Sequence, residues 1–96
     1  MNPAPSKMYY VYLLKSNKNK WIYIGLTSDL QKRLIEHYSG KNYSTCKYLP
    51  VQLVYYEAYL SKIDAKIREK KLKQYGNTIG LLKKRIRNSL LEEGAG

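Results

Sequence analysis

The chain contains one cysteine, one histidine, no phenylalanine, and seven acidic residues against 18 lysines and arginines. Each scarcity removes a class of function. Cys46, the lone cysteine, excludes an internal disulfide, and with His37 the lone imidazole no Cys/His zinc site can be assembled. The longest apolar run, Met8–Leu14, falls far short of the roughly 20 residues that a membrane-spanning helix needs. That run holds Tyr9, Tyr10 and Tyr12 and leads straight into Lys-Ser-Asn-Lys-Asn-Lys with no small-residue cleavage site, so it is a poor signal-peptide core. These absences lead to the expectation of a cytoplasmic protein with no membrane partner and no small-molecule cofactor.

At 96 residues there is room for one core, and 44% apolar with 26% charged residues is globular composition. The net charge of +11 is the anomaly, and it implies a polyanionic partner, most often nucleic acid. Residues 62–87 hold ten of the lysines and arginines against Asp64 and Glu69. A solvated face is the ordinary explanation of a charge run. Concentration on neighbouring helices favours a phosphate-binding surface, with Lys66, Lys70, Lys73, Lys83, Lys84, Arg85 and Arg87 as its candidates.

Periodicity divides the chain. Residues 1–7, with two prolines and no pattern, are expected to be a loose tail. Met8–Lys15 and Trp21–Leu26 read as the two strands of a hairpin. Ser28 with Gln31 has the form of a capping box, and Leu30, Leu34, Ile35 and Tyr38 recur at helical spacing until Gly40. Val51–Tyr59 suits a buried strand, and Ser61 with Asp64 opens a helix reaching about Tyr75. Ile79, Leu82, Ile86 and Leu90 form one stripe of a last helix, roughly Ile79–Leu91, before a frayed tail at 92–96. The predicted fold is a small single α/β (α+β) domain over residues 8–91, with a three-stranded, mostly antiparallel sheet and order β-β-α-β-α-α.

A hairpin loop at Ser16–Asn19 sets Lys15 opposite Lys20 and Tyr12 opposite Tyr23. A packed aromatic pair is the commoner fate of such tyrosines. Gly25, a strand glycine, points to the close approach of a ligand or another backbone. Arg33 and His37 share one face of the first helix, bordering the Leu30/Leu34 stripe. Glu69 lies between Arg68 and Lys70 yet shares a side with Ala65 and Leu72, which packs inward. Taken alone, Glu69 reads as the salt-bridge partner of a neighbouring lysine. Trp21 reads as packing, Cys46 as an incidental thiol, and Glu57 as the partner of a lysine.

Tyr10-Val11-Tyr12 and Tyr23-Ile24-Gly25, followed by Thr27, Asp29-Leu30, Arg33-Leu34 and His37, resemble the GIY-YIG nuclease domain, in particular its small stand-alone bacterial members. Pro50-Val51, Val54-Tyr55-Tyr56-Glu57, Ala65, Glu69 and Leu72-Lys73 extend the resemblance over about residues 8–75. Tyr10 departs from the family glycine, and the lysine that the excision-repair branch carries after its second motif is absent. The resemblance implies a metal-dependent endonuclease acting on DNA, with RNA open as a second substrate. It makes Glu69 the ligand of Mg²⁺ or Mn²⁺, Arg33 the stabiliser of phosphate charge, and Tyr12 or Tyr23 the proton acceptor, its phenolate favoured by nearby cations. His37 positions water or phosphate, or assists the tyrosine. Asn77 and Asn88 are the candidates for the family's late asparagine. The rival reading is a non-catalytic nucleic-acid-binding module on the same fold.

Overall fold

Runs of Tyr, Val, Ile and Leu favour extended chain, and the computed structural model, which describes residues 7–92, forms its three strands there. Strand β1 (Tyr9–Ser16) is central, flanked by β2 (Ile22–Thr27) and β3 (Val51–Tyr59), both antiparallel to it. Among the described residues four α-helices and one 3-10 turn complete the order: α1 (Leu30–Tyr38) and the 3-10 turn (Cys46–Tyr48) between β2 and β3, then α2 (Lys62–Gln74), α3 (Gly76–Arg85) and α4 (Arg87–Leu91). The segments expected to be loose lie outside the described residues apart from Lys7 and Glu92.

Alternation along β1 sends Val11 and Leu13 to one face and Tyr12 and Leu14 to the other, all four fully buried. Ala65 and Leu72 of α2, Leu82 of α3 and Ile86 close the first face. Leu30 and Leu34 of α1, with Tyr48 and Leu49, cover the second. Each aliphatic side chain buried this way contributes about 1.5–3 kcal/mol. The central strand is therefore the main anchor of the fold.

The hairpin register differs from expectation. Lys15 pairs with Ile22, and Tyr12 stands opposite Gly25 rather than Tyr23. The strand runs on through Ser16, whose N–H donates to the Trp21 carbonyl at 3.0 Å, while the Asn19 side chain accepts from the Trp21 N–H at 2.8 Å. These bonds move the turn further along the chain. A slip of two residues leaves every side chain on its expected face, because the strand period is two. Tyr12 and Tyr23 thus remain on one face as diagonal neighbours.

Two helix boundaries also differ. Asp29, not Ser28, caps α1, its carboxylate accepting from the Lys32 N–H at 3.1 Å. The other end stops where expected: Gly40 takes φ +79°, and the N–H groups of Gly40 and Lys41 donate to His37 and Glu36 carbonyls, the Schellman arrangement. The expected last helix is two helices broken at Ile86, where φ −107° and ψ 26° turn the chain. Its stripe survives the break, since Leu82 and Ile86 are buried and Ile79 and Leu90 pack against them.

Helix α2 is held in rotation from two sides. Arg68 donates from Nε and Nη2 to the Glu57 carboxylate of β3 at 2.9 Å, and Tyr55 and Tyr59 donate to the same carboxylate. Glu57 therefore pairs with an arginine instead of a lysine, and these bonds hold its carboxyl below the usual range despite burial. Ala65 and Leu72 point into the core between the flanks, so clamping Arg68 toward β3 leaves Glu69 on the flank toward β2.

Candidate active site

Tyr12 stands mid-strand on the face that α1 covers, fully buried. Its hydroxyl lies 2.8 Å from Nε2 of His37, and Nδ1 of that ring lies 2.8 Å from the Thr45 hydroxyl. His37 and Thr45 are also fully buried, so this polar line of three is sealed from water yet satisfied. Tyr23 closes the cluster, its ring centroid 5.1 Å from His37 and 6.1 Å from Tyr12. It is only half-buried, so Tyr23 is the member of the pair that faces outward.

Gly25 explains how Tyr12 reaches His37. A Cβ at residue 25 would overlap Cζ and Oη of Tyr12, so the phenol passes directly over the glycine. The close approach expected at this glycine is real, but it is made by the tyrosine opposite it and not by a ligand. Gly25→Ala is accordingly expected to destabilise the fold by about 1–3 kcal/mol through overpacking. For a domain of this size that lowers the Tm by roughly 4–8 °C per kcal/mol in a thermal melt.

Burial governs the proton affinities. It pushes the Tyr12 phenol well above the ordinary tyrosine range, the neighbouring Tyr23 adds to this, and Arg33 opposes it without prevailing. The expectation that nearby cations favour a phenolate fails for Tyr12, because desolvation outweighs Arg33. Burial, with Arg33 second, also holds His37 below its usual value, so the imidazole is neutral near pH 7.

Arg33 and Glu69 approach this cluster from different elements. Arg33 precedes His37 by one turn of α1, and its charge reaches both His37 and Tyr12. Its Nε pairs with Glu36 at 3.2 Å, both side chains more than a third exposed. Glu69 reaches from α2, and its charge is felt at Tyr12. Its Oε2 accepts from Lys73 Nζ at 3.1 Å, the salt bridge that sequence alone favours. The five candidate residues thus share one neighbourhood, with the tyrosines and His37 in contact and the two charged groups at its rim.

The basic candidates divide. Lys66 and Lys70 of α2, Lys84 of α3 and Arg87 of α4 are exposed. Lys83 borders a cavity beside β2, whereas Arg85 borders a different one with Arg68 and Lys71. Asn77 is exposed at the start of α3, and Asn88 borders a cavity beside β3, across the sheet from Tyr23. Thr45, which fixes the far side of the His37 ring, lies in a polar stretch where no sequence pattern marks one hydroxyl as buried.

The family model for the GIY-YIG catalytic domain matches residues 8–85. UPF0213 proteins of Streptococcus pyogenes serotypes M5 (strain Manfredo) and M2 (strain MGAS10270) are each 45% identical over 58 residues, covering 59% of this chain. The match takes in 62% of each relative, less than two thirds of its length. The solution structure of UPF0213 protein BH0048 from Bacillus halodurans is 30% identical, with a TM-score of 0.49, covering 91% of this chain and 87% of that one. A catalytic-domain match that begins at the first strand and ends with α3, enclosing every element around the buried Tyr12–His37 pair, makes this chain a member of the GIY-YIG family.

Proposed function

We propose that the protein is a divalent-metal-dependent endonuclease that hydrolyses phosphodiester bonds in DNA, selecting by structure rather than by base sequence. The observation that carries this reading is the buried Tyr12–His37–Thr45 line backing the outward-facing Tyr23. Such a line costs a core three polar groups and has a use when a proton must be moved.

Tyr23 orients the attacking water. His37 holds its own proton on Nδ1 and donates it to Thr45, leaving Nε2 free to accept from the Tyr12 hydroxyl. A proton taken at Tyr23 passes through Tyr12 to Nε2, which burial keeps unprotonated near pH 7. Arg33 leaves Glu36 to meet charge building on the phosphate, a contribution worth about 10²–10³-fold when one such donor is removed. Glu69 is the metal-holding residue. Its lone, half-buried carboxylate suits Mg²⁺ or Mn²⁺, which keep several waters and take phosphate oxygens as further ligands. Among the described residues no cluster of three His, Cys, Asp or Glu exists, which fits a hydrated ion better than a caged one. When bound, the ion supplies Lewis-acid polarisation of the scissile phosphate and its leaving oxygen.

The rival reading, a non-catalytic nucleic-acid-binding module, draws on the pairing of Arg33 with Glu36 and of Glu69 with Lys73. Partly exposed pairs of this kind are worth about 0–1 kcal/mol and yield readily to a phosphate or a cation. A mere binder also has no need of the acid. Both readings require phosphate contacts. Affinity for duplex DNA is expected to fall with salt by a slope near −0.9 per phosphate neutralised. Replacing Lys83, Lys84 and Arg85 together with neutral residues should weaken binding and flatten that slope. Salt-independent binding, or no loss in the triple variant, would remove α3 from the DNA-contacting surface.

A further inference from the structure

Strand β2 is an edge of the sheet, pairing with β1 on one side and leaving its other side open. Two cavities adjoin at the hairpin end of β2 and share Lys20, Trp21, Ile22 and Lys83: one of about 430 Å³ turns around the hairpin to Lys15 and Leu90, and one of about 520 Å³ continues along β2 past Tyr23 and Ile24. The second reaches Tyr23 and Lys73, so the groove leads into the site described above. Its charge is of one sign: Lys15, Lys20, Lys73 and Lys83 line it, and no acidic residue does. Lys15 is committed to the carbonyls that end α4, and Lys73 to Glu69. Lys20 and Lys83 are exposed, with no partner among the described residues.

Trp21 stands where the two cavities join. Tyr48 stacks on one face of its ring, the centroids 3.8 Å apart and the planes 8° from parallel, while Tyr23 lies 5.9 Å to the side. This stacking places a large aromatic surface beside two exposed cations. The packing expected of Trp21 is seen in that contact with Tyr48.

Basic side chains with an adjoining aromatic platform are what a single strand requires, since its phosphates are reachable and its base faces are uncovered. A paired duplex hides those faces. We infer that the β2 groove holds a single-stranded segment of the nucleic-acid substrate, a base stacking at Trp21 and phosphates lying on Lys20 and Lys83. This rests on the nuclease reading and deepens it: the preferred substrate carries an unpaired flank beside the scissile phosphate. Charge complementarity favours this occupant over a peptide added to the open edge of β2.

Trp21 is the only tryptophan, so its fluorescence reports the groove directly. A short oligothymidylate titrated in EDTA, where no cleavage intervenes, is expected to quench that fluorescence saturably. The Lys20→Glu/Lys83→Glu double variant should keep its thermal melt, bind the oligonucleotide at least ~10-fold more weakly, and show a salt slope shallower by about 1.4. With a labelled oligonucleotide read by anisotropy, Trp21→Phe should retain more affinity than Trp21→Leu. Absent quenching, or affinity unchanged in the double variant, would overturn the inference. Equal quenching by blunt duplex or by inorganic polyphosphate would overturn the stacking. The nuclease reading fails separately: a protein that is quenched but cuts nothing with Mg²⁺ keeps the groove as a strand-binding site, and one that cuts without quenching loses the groove alone.

Discussion

Glu69→Gln is expected to abolish cleavage while leaving affinity for DNA unchanged or higher. The substitution removes the carboxylate that α2 brings to the rim of the site and leaves the lysines and arginines in place. Lewis-acid stabilisation is worth several kcal/mol, and at 1.36 kcal/mol per tenfold the loss is at least about 10²–10³ in rate. A structural explanation of the same loss is excluded in advance. The Glu69–Lys73 pair is a partly exposed i,i+4 contact worth about 0–1 kcal/mol, so the thermal melt should hardly move. Wild-type turnover in a Glu69→Gln preparation free of contaminating nuclease would make the metal assignment wrong.

Deleting the tyrosine hydroxyls separates two roles that sequence leaves equal. Tyr23→Phe should cost about 10²–10⁴ in turnover at saturating substrate, the usual span for lost general-base assistance, with stability nearly unchanged. Tyr12→Phe should cost comparable turnover and also destabilise the fold by about 1–3 kcal/mol, because Nε2 of His37 is left buried without a partner. Tyr9→Phe is the control, lying on the opposite sheet face among the α2 and α3 contacts. The pH dependence follows from His37. Its folded-state value is lowered from 6.5, so the folded protein resists a proton that the unfolded chain accepts. Stability from this source is full above about 6.5 and declines as pH falls below it, and activity should decline on the acid side with a midpoint below 6.5. If both Phe variants turn over normally across about pH 6–9, the tyrosines are structural and His37 is the next candidate for the base.

Most elements were legible because local chemistry and tertiary packing agree in them. Val51–Tyr59 is a strand over its expected span, Ser61 caps α2 through the Ile63 and Asp64 N–H groups, and Leu82 and Ile86 are buried as their stripe requires. The misses arose where two local solutions lie close in energy. Ser28 and Asp29 are both good caps, and the hairpin loop admits two turns whose registers put the same residues on the same face. The helix break at Ile86 has no proline or glycine to announce it. At the site, residue types and faces could be read, but depth could not. Nothing local distinguishes a half-buried tyrosine from Tyr12, which is sealed, or marks Thr45 as the partner of His37. Those facts depend on the segment between α1 and β3 folding over the sheet, and with the raised Tyr12 phenol they are what favours the proposed relay over a phenolate.

A cleavage assay of the purified protein on plasmid, branched and single-stranded DNA, with Mg²⁺, Mn²⁺ or EDTA, beside the Glu69→Gln protein prepared identically, separates a nuclease from a binding module. Nicking or cutting is expected that requires the divalent ion, is strongest on substrates with an unpaired flank, and is absent from the variant. Tight, salt-sensitive binding with no cleavage of any substrate under either metal would contradict that expectation and make the protein a nucleic-acid-binding module.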